Sequence, residues 1–509
     1  MLLHHFLEAT TQQQPDKTAL VCDGQRYSYV QIDRMATQLA GFLRHRGVQR
    51  GDRVAIFMDN SVETVIAVYA ALKAGAVFMP VNPLTKQDKL AYLLNDSRAS
   101  VLLTHAALQD AFNGALANNR SVHSCVVVGE LRRAHTDPRV LPYANVAGAN
   151  VELTDPGSID QDLAAIIYTS GSTGDPKGVM LTHLNMVSAA NSVSHYLGLQ
   201  RDDVVLCVLP LAFDYGLYQV LMSFKLGATV VLERSFAFPV KVLEVMARER
   251  VTVLPGVPTI FSLLMGIKTL SQNDLGALRM ITNTAAALSE QHILELRALF
   301  PQATLFSMYG LTECKRVTYL PPEQLDTRPT SVGRGMPNEE VWLVDETGQR
   351  LPNGSTGELV IRGSNVMRGY WEKPDETAKR LRPGPNPGEM VLYSGDIFRT
   401  DAEGYLYFVA RRDDVIKSRG EKVSPREVEN VLYGMEGVHE VAVVGVPDPV
   451  LGQAVKAFVA LRPGFSYSER EVIKYCLGHL ESFMAPKQVV FVDALPKTDT
   501  GKIKKTGLV

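Results

Sequence analysis

Cysteine is scarce and unpaired in this sequence. Five residues (Cys22, Cys125, Cys207, Cys314 and Cys476) are spread over 509 positions without a Cys-x-x-Cys pair. An odd, scattered set excludes a disulfide framework or a cysteine-built zinc site as the organising device, and predicts a reducing, cytoplasmic setting. A charge excess of either sign is also missing. With 52 basic and 54 acidic side chains the formal charge is −2, so no long-range field draws the chain to nucleic acid or to an anionic membrane. Long apolar runs are absent too. The stretch Val204–Leu211 falls well short of the ~20 residues that cross a bilayer. The opening Met1–Glu8 holds two histidines and an early acid, with no basic start or small-residue cleavage site, which predicts no secretion signal.

What is present is a composition of ordinary globular type, 46% hydrophobic and 21% charged, in a chain long enough for at least two domains. From Leu2 to about Leu320, strand-like apolar runs such as Val54–Phe57, Val77–Val81, Ala164–Tyr168, Val204–Val208 and Thr304–Met308 alternate with helical patterns such as Val62–Leu72 and Val240–Arg250. That alternation predicts an α/β fold of mostly parallel sheets covered by helices. Between Gly333 and Phe408 the pattern changes to short strands and tight turns, which predicts a β-rich subdomain over residues 330–410. After the charged cluster Arg411–Asp414 a compact α/β unit follows, with a helix near Pro425–Tyr433. The expected division is therefore 1–410 and 411–509.

The sharpest local signal is the run from Tyr168 to Gly178, Tyr-Thr-Ser-Gly-Ser-Thr-Gly-Asp-Pro-Lys-Gly. An apolar strand feeds it, and a helix is expected from about Leu184. Gly171, Gly174 and Gly178 allow backbone amides to converge on an anion. Thr169, Ser170, Ser172 and Thr173 add hydroxyl donors, and Lys177 adds a positive charge. Such a loop suits the phosphates of a nucleotide. The spacing matches neither the Walker loop nor Gly-x-Gly-x-x-Gly, which sets aside P-loop NTPases and Rossmann dehydrogenases.

The wording of this run resembles the signature of the adenylate-forming superfamily, which includes acyl-CoA synthetases, luciferases and the adenylation domains of nonribosomal peptide synthesis. The resemblance continues in order along the chain. It takes in Leu72–Pro83, Met308-Tyr-Gly-Leu-Thr-Glu313, Tyr393-Ser-Gly-Asp396, Gly404–Lys417 and Pro496–Lys504. One departure is Ala410, where the family usually has glycine. The resemblance implies ATP and Mg²⁺ as cofactors. It also implies a small, mobile C-terminal domain that rotates about Asp413 and opens a thiol path through the loop Arg419-Gly420.

The same resemblance assigns roles residue by residue. The loop Thr169–Gly178 would hold the leaving pyrophosphate. Tyr309 with the adjoining Gly310 would face adenine beside Asn283-Thr284-Ala285-Ala286, and Thr312 would meet the α-phosphate. Glu313 would bind the metal, and Asp396 and Arg411 would hold the ribose. A flat ring, a hydroxyl, a hard carboxylate and a second carboxylate that accepts two hydroxyl hydrogens are the groups such contacts need. Lys502 occupies the place of the catalytic lysine, bridging the acid and the α-phosphate. The reaction implied is attack of a carboxylate on ATP's α-phosphate, whose barrier is largely positional and electrostatic.

For the acid, Phe213-Asp214 stands where amino-acid adenylation domains carry Phe-Asp and acyl-CoA synthetases often carry Phe-His. A buried carboxylate is costly without a cation, and a substrate ammonium would supply one. A second reading has Asp214 cap a helix that starts at Tyr215. Gly216, where the family's amino-acid form usually has serine, is a departure. By position the pocket would also draw on Tyr218, Pro255–Val257, Asn283, Met308 and Arg316. Stand-alone prolyl–carrier-protein ligases are the subgroup the chain most resembles, so L-proline is the leading expectation, with a fatty or aryl acid as the alternative. The chain ends seven residues after Lys502, which predicts that the thiol comes from a separate phosphopantetheinylated carrier protein or from CoA.

Overall fold

The computed structural model describes the chain except residues 134–135, 148–152, 170–175, 268, 285–287, 413, 419–420, 449–450, 481, 499–502, 506 and 509. Two large sheets form its body. One runs in the order Arg334–Gly335, Thr318–Tyr319, Thr304–Tyr309, Met280–Asn283, Val253–Gly256, Val204–Cys207, Thr229–Leu232, Thr18–Cys22, Gln25–Ser28. The strands from Thr304–Tyr309 through Thr18–Cys22 are all parallel. The other runs Gly369–Tyr370, Lys177–Thr182, Leu163–Thr169, Val77–Val81, Arg53–Phe57, Val101–His105, Ser124–Val128, Val140–Pro142. It is parallel from Leu163–Thr169 outward.

The apolar runs read from the sequence are these parallel strands. A parallel strand covered on both faces by helices has no polar side to show, so it appears as a continuous apolar run. Two helices are apolar all round for the same reason. In Val62–Lys73 every residue but Glu63 is buried, and Asp214–Leu226 is buried from Asp214 to Phe224. One continuous core joins these helices to residues of both sheets, including Leu20 and Val205 on one and Val54, Phe78 and Ala165 on the other. Lys73 is 6% exposed and meets Glu8 and Asp33 at 2.5 and 2.9 Å. Several helix starts are fixed by reciprocal caps, Ser28 with Gln31, Thr182 with Asn185 and Ser468 with Glu471.

The turn-rich segment forms a five-stranded antiparallel sheet from Glu339–Val344, Thr356–Gly363, Met390–Thr400, Leu381–Pro383 and Leu406–Arg411. Arg411 thus ends a strand of this sheet, and the amide of Arg412 still donates to Gly395 at 2.9 Å. The C-terminal unit has its own five-stranded sheet, with the helices Pro425–Tyr433 and Glu469–Leu477 packed over a separate core of Val428, Val443, Val459 and Val472. Its last segment folds back on it. Lys497 and Lys505 meet Glu440 and Glu429, each at 2.6 Å, and Ile503 and Leu508 pack on Ala442, Val444 and Phe458.

One expectation is corrected. The glycine-rich run does not pass directly to the helix expected from about Leu184, because a strand intervenes. It joins Leu163–Thr169 to an antiparallel strand, Lys177–Thr182, and the expected helix then begins at His183. The second strand was hidden because Lys177, Met180 and Thr182 gave it no clear alternation of apolar and polar residues.

All five cysteines are free and buried. Among the described residues no helix is long and apolar enough to cross a membrane. The β-rich sheet is sewn to the large body at Gly333, whose carbonyl accepts from the Leu406 amide at 2.8 Å while the Val332 amide donates to the Leu406 carbonyl at 2.9 Å. Gly333 has φ +83°, and a Cβ there would meet the carbonyl oxygen of Tyr319 at 1.7 Å. Gly333→Ala is therefore expected to destabilise the fold by at least ~2 kcal/mol, read as a lower urea midpoint at unchanged slope.

Candidate active site

The parallel strands of the nine-stranded sheet end on a common edge, and the segment after Thr304–Tyr309 turns back there. Gly310 makes the turn possible, since a Cβ on it would meet the carbonyl oxygen of Lys315 at 2.3 Å. Asn365 holds the far side of the turn, its Nδ2 donating to the carbonyls of Cys314 and Arg316 at 2.7 and 3.1 Å. The turn, the start of the helix Asp214–Leu226 and Thr284 enclose a cleft. Its lining includes Phe213, Asp214, Tyr215, Thr312, Lys315 and Arg316.

On one side of this region Tyr309, Asp396 and Arg411 come together. The Tyr309 hydroxyl donates to Asp396 Oδ2 at 2.6 Å. The Tyr309 ring packs edge-on against Phe398, with centroids 4.8 Å apart. Asp396 and Arg411 are direct partners across adjacent strands, and Arg411 Nε lies 3.7 Å from Asp396 Oδ1. Burial raises the Asp396 carboxyl, and the Arg411 guanidinium and the Tyr309 hydroxyl oppose that rise. Three residues from distant parts of the sequence thus form one polar cluster, with Arg411 exposed and the carboxylate beneath it.

Glu313 and Lys177 are linked by a residue the sequence reading passed over. Tyr370 donates its hydroxyl to Glu313 Oε1 at 2.7 Å, and Lys177 Nζ lies 5.7 Å from the Tyr370 ring centroid. Tyr370 reaches this place because Gly369–Tyr370 pairs with the strand Lys177–Thr182. The only signal for it was an aromatic pair, Tyr370-Trp371, inside a turn-rich segment. The ammonium of Lys177 is ion-paired with Glu376, and Thr169 Oγ1 faces the Lys177 carbonyl at 3.5 Å.

The cleft wall corrects the helix-cap reading of Asp214 and gives the carboxylate a cation of the chain itself. Asp214 is itself the first residue of the helix, and the preceding Phe213 makes no side-chain cap, so Asp214 does not cap a helix beginning at Tyr215. Its carboxylate is already met by a cation of the chain. Lys315 Nζ lies 3.5 Å from Asp214 Oδ2 and donates to the Asp214 carbonyl at 2.7 Å. Lys315 is 3% exposed, and its Nζ stands 4.2 Å from the ring centroid of Tyr218. Burial pushes the lysine down to about 7, Asp214 works to raise it, and Arg316 adds to the lowering. Its backbone is left-handed at φ +67°, which is uncommon outside glycine and concentrates at functional sites. Lys315 was missed because sequence reasoning places lysines on the surface.

Of the remaining expected residues, Asn283 and Met308 are buried at the ends of their strands, and Met308 Sδ receives the Tyr196 hydroxyl at 2.9 Å. Tyr218 lies beneath Lys315 rather than on the cleft lining. Within the range Pro255–Val257, residues 255–256 end a parallel strand and Val257 packs in the second core. Ser170, Gly171, Ser172, Thr173, Gly174, Ala285, Ala286, Asp413, Arg419, Gly420 and Lys502 lie outside the described residues.

The chain is similar to known proteins. The family described as AMP-binding enzyme matches residues 7–371, and the AMP-binding enzyme C-terminal domain matches residues 427–502. A long-chain-fatty-acid–CoA ligase of Bacillus subtilis is 32% identical, over 97% of this chain and 92% of its own. A feruloyl-CoA synthase of Amycolatopsis is 35% identical, over 96% and 95%. The crystal structure of an anthranilate CoA ligase in complex with anthranoyl-AMP superimposes with a TM-score of 0.91 at 27% identity, covering 100% of this chain and 96% of that one.

Removing the Tyr309 hydroxyl leaves the buried Asp396 carboxyl without its side-chain donor. Tyr309→Phe is expected to cost ~1–3 kcal/mol of stability, measured by urea unfolding.

Proposed function

The chain belongs to the AMP-binding enzyme family and is an AMP-forming acid–thiol ligase, and within that class we propose that it joins a compact carboxylic acid to coenzyme A. The observation that carries this reading is the Asp214–Lys315 pair. An aspartate in the acyl pocket argues for an amino-acid substrate only if it lacks a cation, and here Lys315 supplies one. The relatives, which act on fatty, feruloyl and anthranilate acids by their names, point the same way. Two cationic side chains on the cleft wall, Lys315 and Arg316, make poor company for a long alkyl tail, which favours a short or aryl acid. Activation of L-proline for a separate carrier protein is the reading this displaces.

The proposed chemistry has two steps. A carboxylate oxygen attacks the α-phosphorus of ATP and pyrophosphate leaves, giving an acyl-adenylate. A thiolate then attacks the acyl carbonyl and AMP leaves. Bringing two anions together calls for fixed cations and donors more than for a base. In this proposal Tyr309 faces adenine, Asp396 and Arg411 hold the ribose, and Thr312 steadies the α-phosphate. The glycine-rich run with Lys177 receives pyrophosphate, which requires Lys177 to exchange Glu376 for phosphate oxygens. Lys502 brings the acid's carboxylate to the α-phosphate. Magnesium, when bound with ATP, offsets polyphosphate charge, and Glu313 is the hard carboxylate suited to hold it. Tyr370 then orients Glu313 through its hydroxyl. Movement of the 411–509 domain about Asp413 would bring Lys502 in for the first step and withdraw it for the second.

The test is ATP–pyrophosphate exchange with fatty acids, aryl acids, L-proline and other amino acids, followed by mass analysis of the thioester formed with CoA or with a carrier protein. Exchange with a non-amino acid and a CoA thioester are expected. Exchange confined to an amino acid, with no CoA product, would return the carrier-protein reading. Lys502→Ala is expected to lower exchange by on the order of a hundredfold or more; exchange near the wild-type rate would remove Lys502 from its assigned role.

A further inference from the structure

Among the described residues, Arg316 is the one charged group of the cleft wall without a countercharge. It is 1% exposed, and its Nε has no hydrogen-bond partner. Among the described residues it makes no ion pair. Its guanidinium carbon lies 5.0 Å from the ring centroid of Tyr215, whose hydroxyl is tied to Thr282 Oγ1 at 2.7 Å. The ring supports one face of the guanidinium but gives its N–H groups nothing to donate to. The carboxylate of this wall, Asp214, is committed to Lys315. Asn365 fixes the Arg316 backbone through its carbonyl, so the side chain is held in the cleft by its own main chain.

A buried arginine differs from a buried lysine. Lys315 can shed its proton, and burial has already brought it down to about 7. A guanidinium keeps its charge, and its fork of donors matches a carboxylate bidentately. A built cation that is buried, stacked, backbone-anchored and without an anion marks a place where the ligand brings the anion. The reacting carboxylate of the acid is claimed by the nucleotide side of the site, by Thr312 and the α-phosphate, whereas Arg316 belongs to the wall built by Asp214 and Tyr215.

We propose that the acid substrate carries a second carboxylate, a short or aryl dicarboxylic acid, and that Arg316 receives that second carboxylate while the first is adenylated. This rests on the acid–CoA ligase reading and names its substrate class. Such an acid closes the charge balance of the wall, with Asp214 answering Lys315 and the substrate answering Arg316. It also explains why two adjacent cations stand in a pocket that, for a plain alkyl or aryl acid, would need none.

The experiment is ATP–pyrophosphate exchange with matched pairs that differ by one carboxylate: succinate and butyrate, glutarate and pentanoate, phthalate and benzoate. A preference of at least ~100-fold in kcat/KM for the diacid of one pair is expected, since a site built to bond a polar group rejects the analogue that lacks it. Arg316→Met should abolish that preference. Arg316→Lys, which keeps the charge without the fork, should restore part of it and guards against a methionine variant that fails to fold. Preference of the wild-type enzyme for the monoacids, or for L-proline, would overturn the proposal while leaving it an acid-activating ligase. An equal loss on monoacid and diacid in Arg316→Lys would overturn it too, by assigning the guanidinium to the reacting carboxylate. If no carboxylic acid supports exchange, the ligase reading itself fails.

Discussion

A charge taken out of water has to meet an opposite charge, and the active region of this chain is arranged around that constraint. Asp214 starts a helix buried between two sheets, where an isolated carboxylate would be costly. Lys315 comes to it from a turn after the neighbouring strand, at the expense of a left-handed backbone. That turn is in turn permitted by the missing side chain of Gly310 and held by Asn365. The charges beside ATP's expected place obey the same rule. Asp396 has Arg411 and Lys177 has Glu376, while Glu313 is met by the neutral hydroxyl of Tyr370.

The partners come from different layers of the fold. Tyr309 ends one strand of the nine-stranded sheet and Lys315 follows it. Tyr370 and Lys177 lie on paired strands at the edge of the eight-stranded sheet, and Asp396 and Arg411 pair within the antiparallel sheet. The site is thus a meeting of three sheets, and no one of them contains it. The backbone bonds of Val332 and Gly333 with Leu406 join the antiparallel sheet, which carries Asp396, to the body that carries Tyr309.

Much of this could be read in the residues beforehand. Parallel strands such as Val77–Val81 and Thr229–Leu232 declared themselves as unbroken apolar runs, because burial on both faces leaves no polar alternation. Tyr309, Glu313 and Asp396 stood in motifs whose wording is specific. What escaped was whatever contradicts average behaviour. Lys315 is a buried lysine, and hydropathy assigns lysines to the surface. Tyr370 acts through a strand of two residues, too short for any periodicity to reveal. The strand Lys177–Thr182 mixes a lysine and a threonine with apolar residues, so it passed for part of a loop. Asp214 was read correctly as a buried carboxylate, but its countercharge lies 101 residues away in sequence, and linear reading has no means of pairing them.

The five thiols noted as free and buried are distributed among separate cores: Cys22, Cys207 and Cys314 in the central one, Cys125 under the eight-stranded sheet, Cys476 in the C-terminal unit. Burial raises every one of them away from the reactive thiolate form. An enzyme that handles a thiol nucleophile therefore offers none of its own to compete for the activated acyl group, and electrophiles find a thiol only where a particular core has opened.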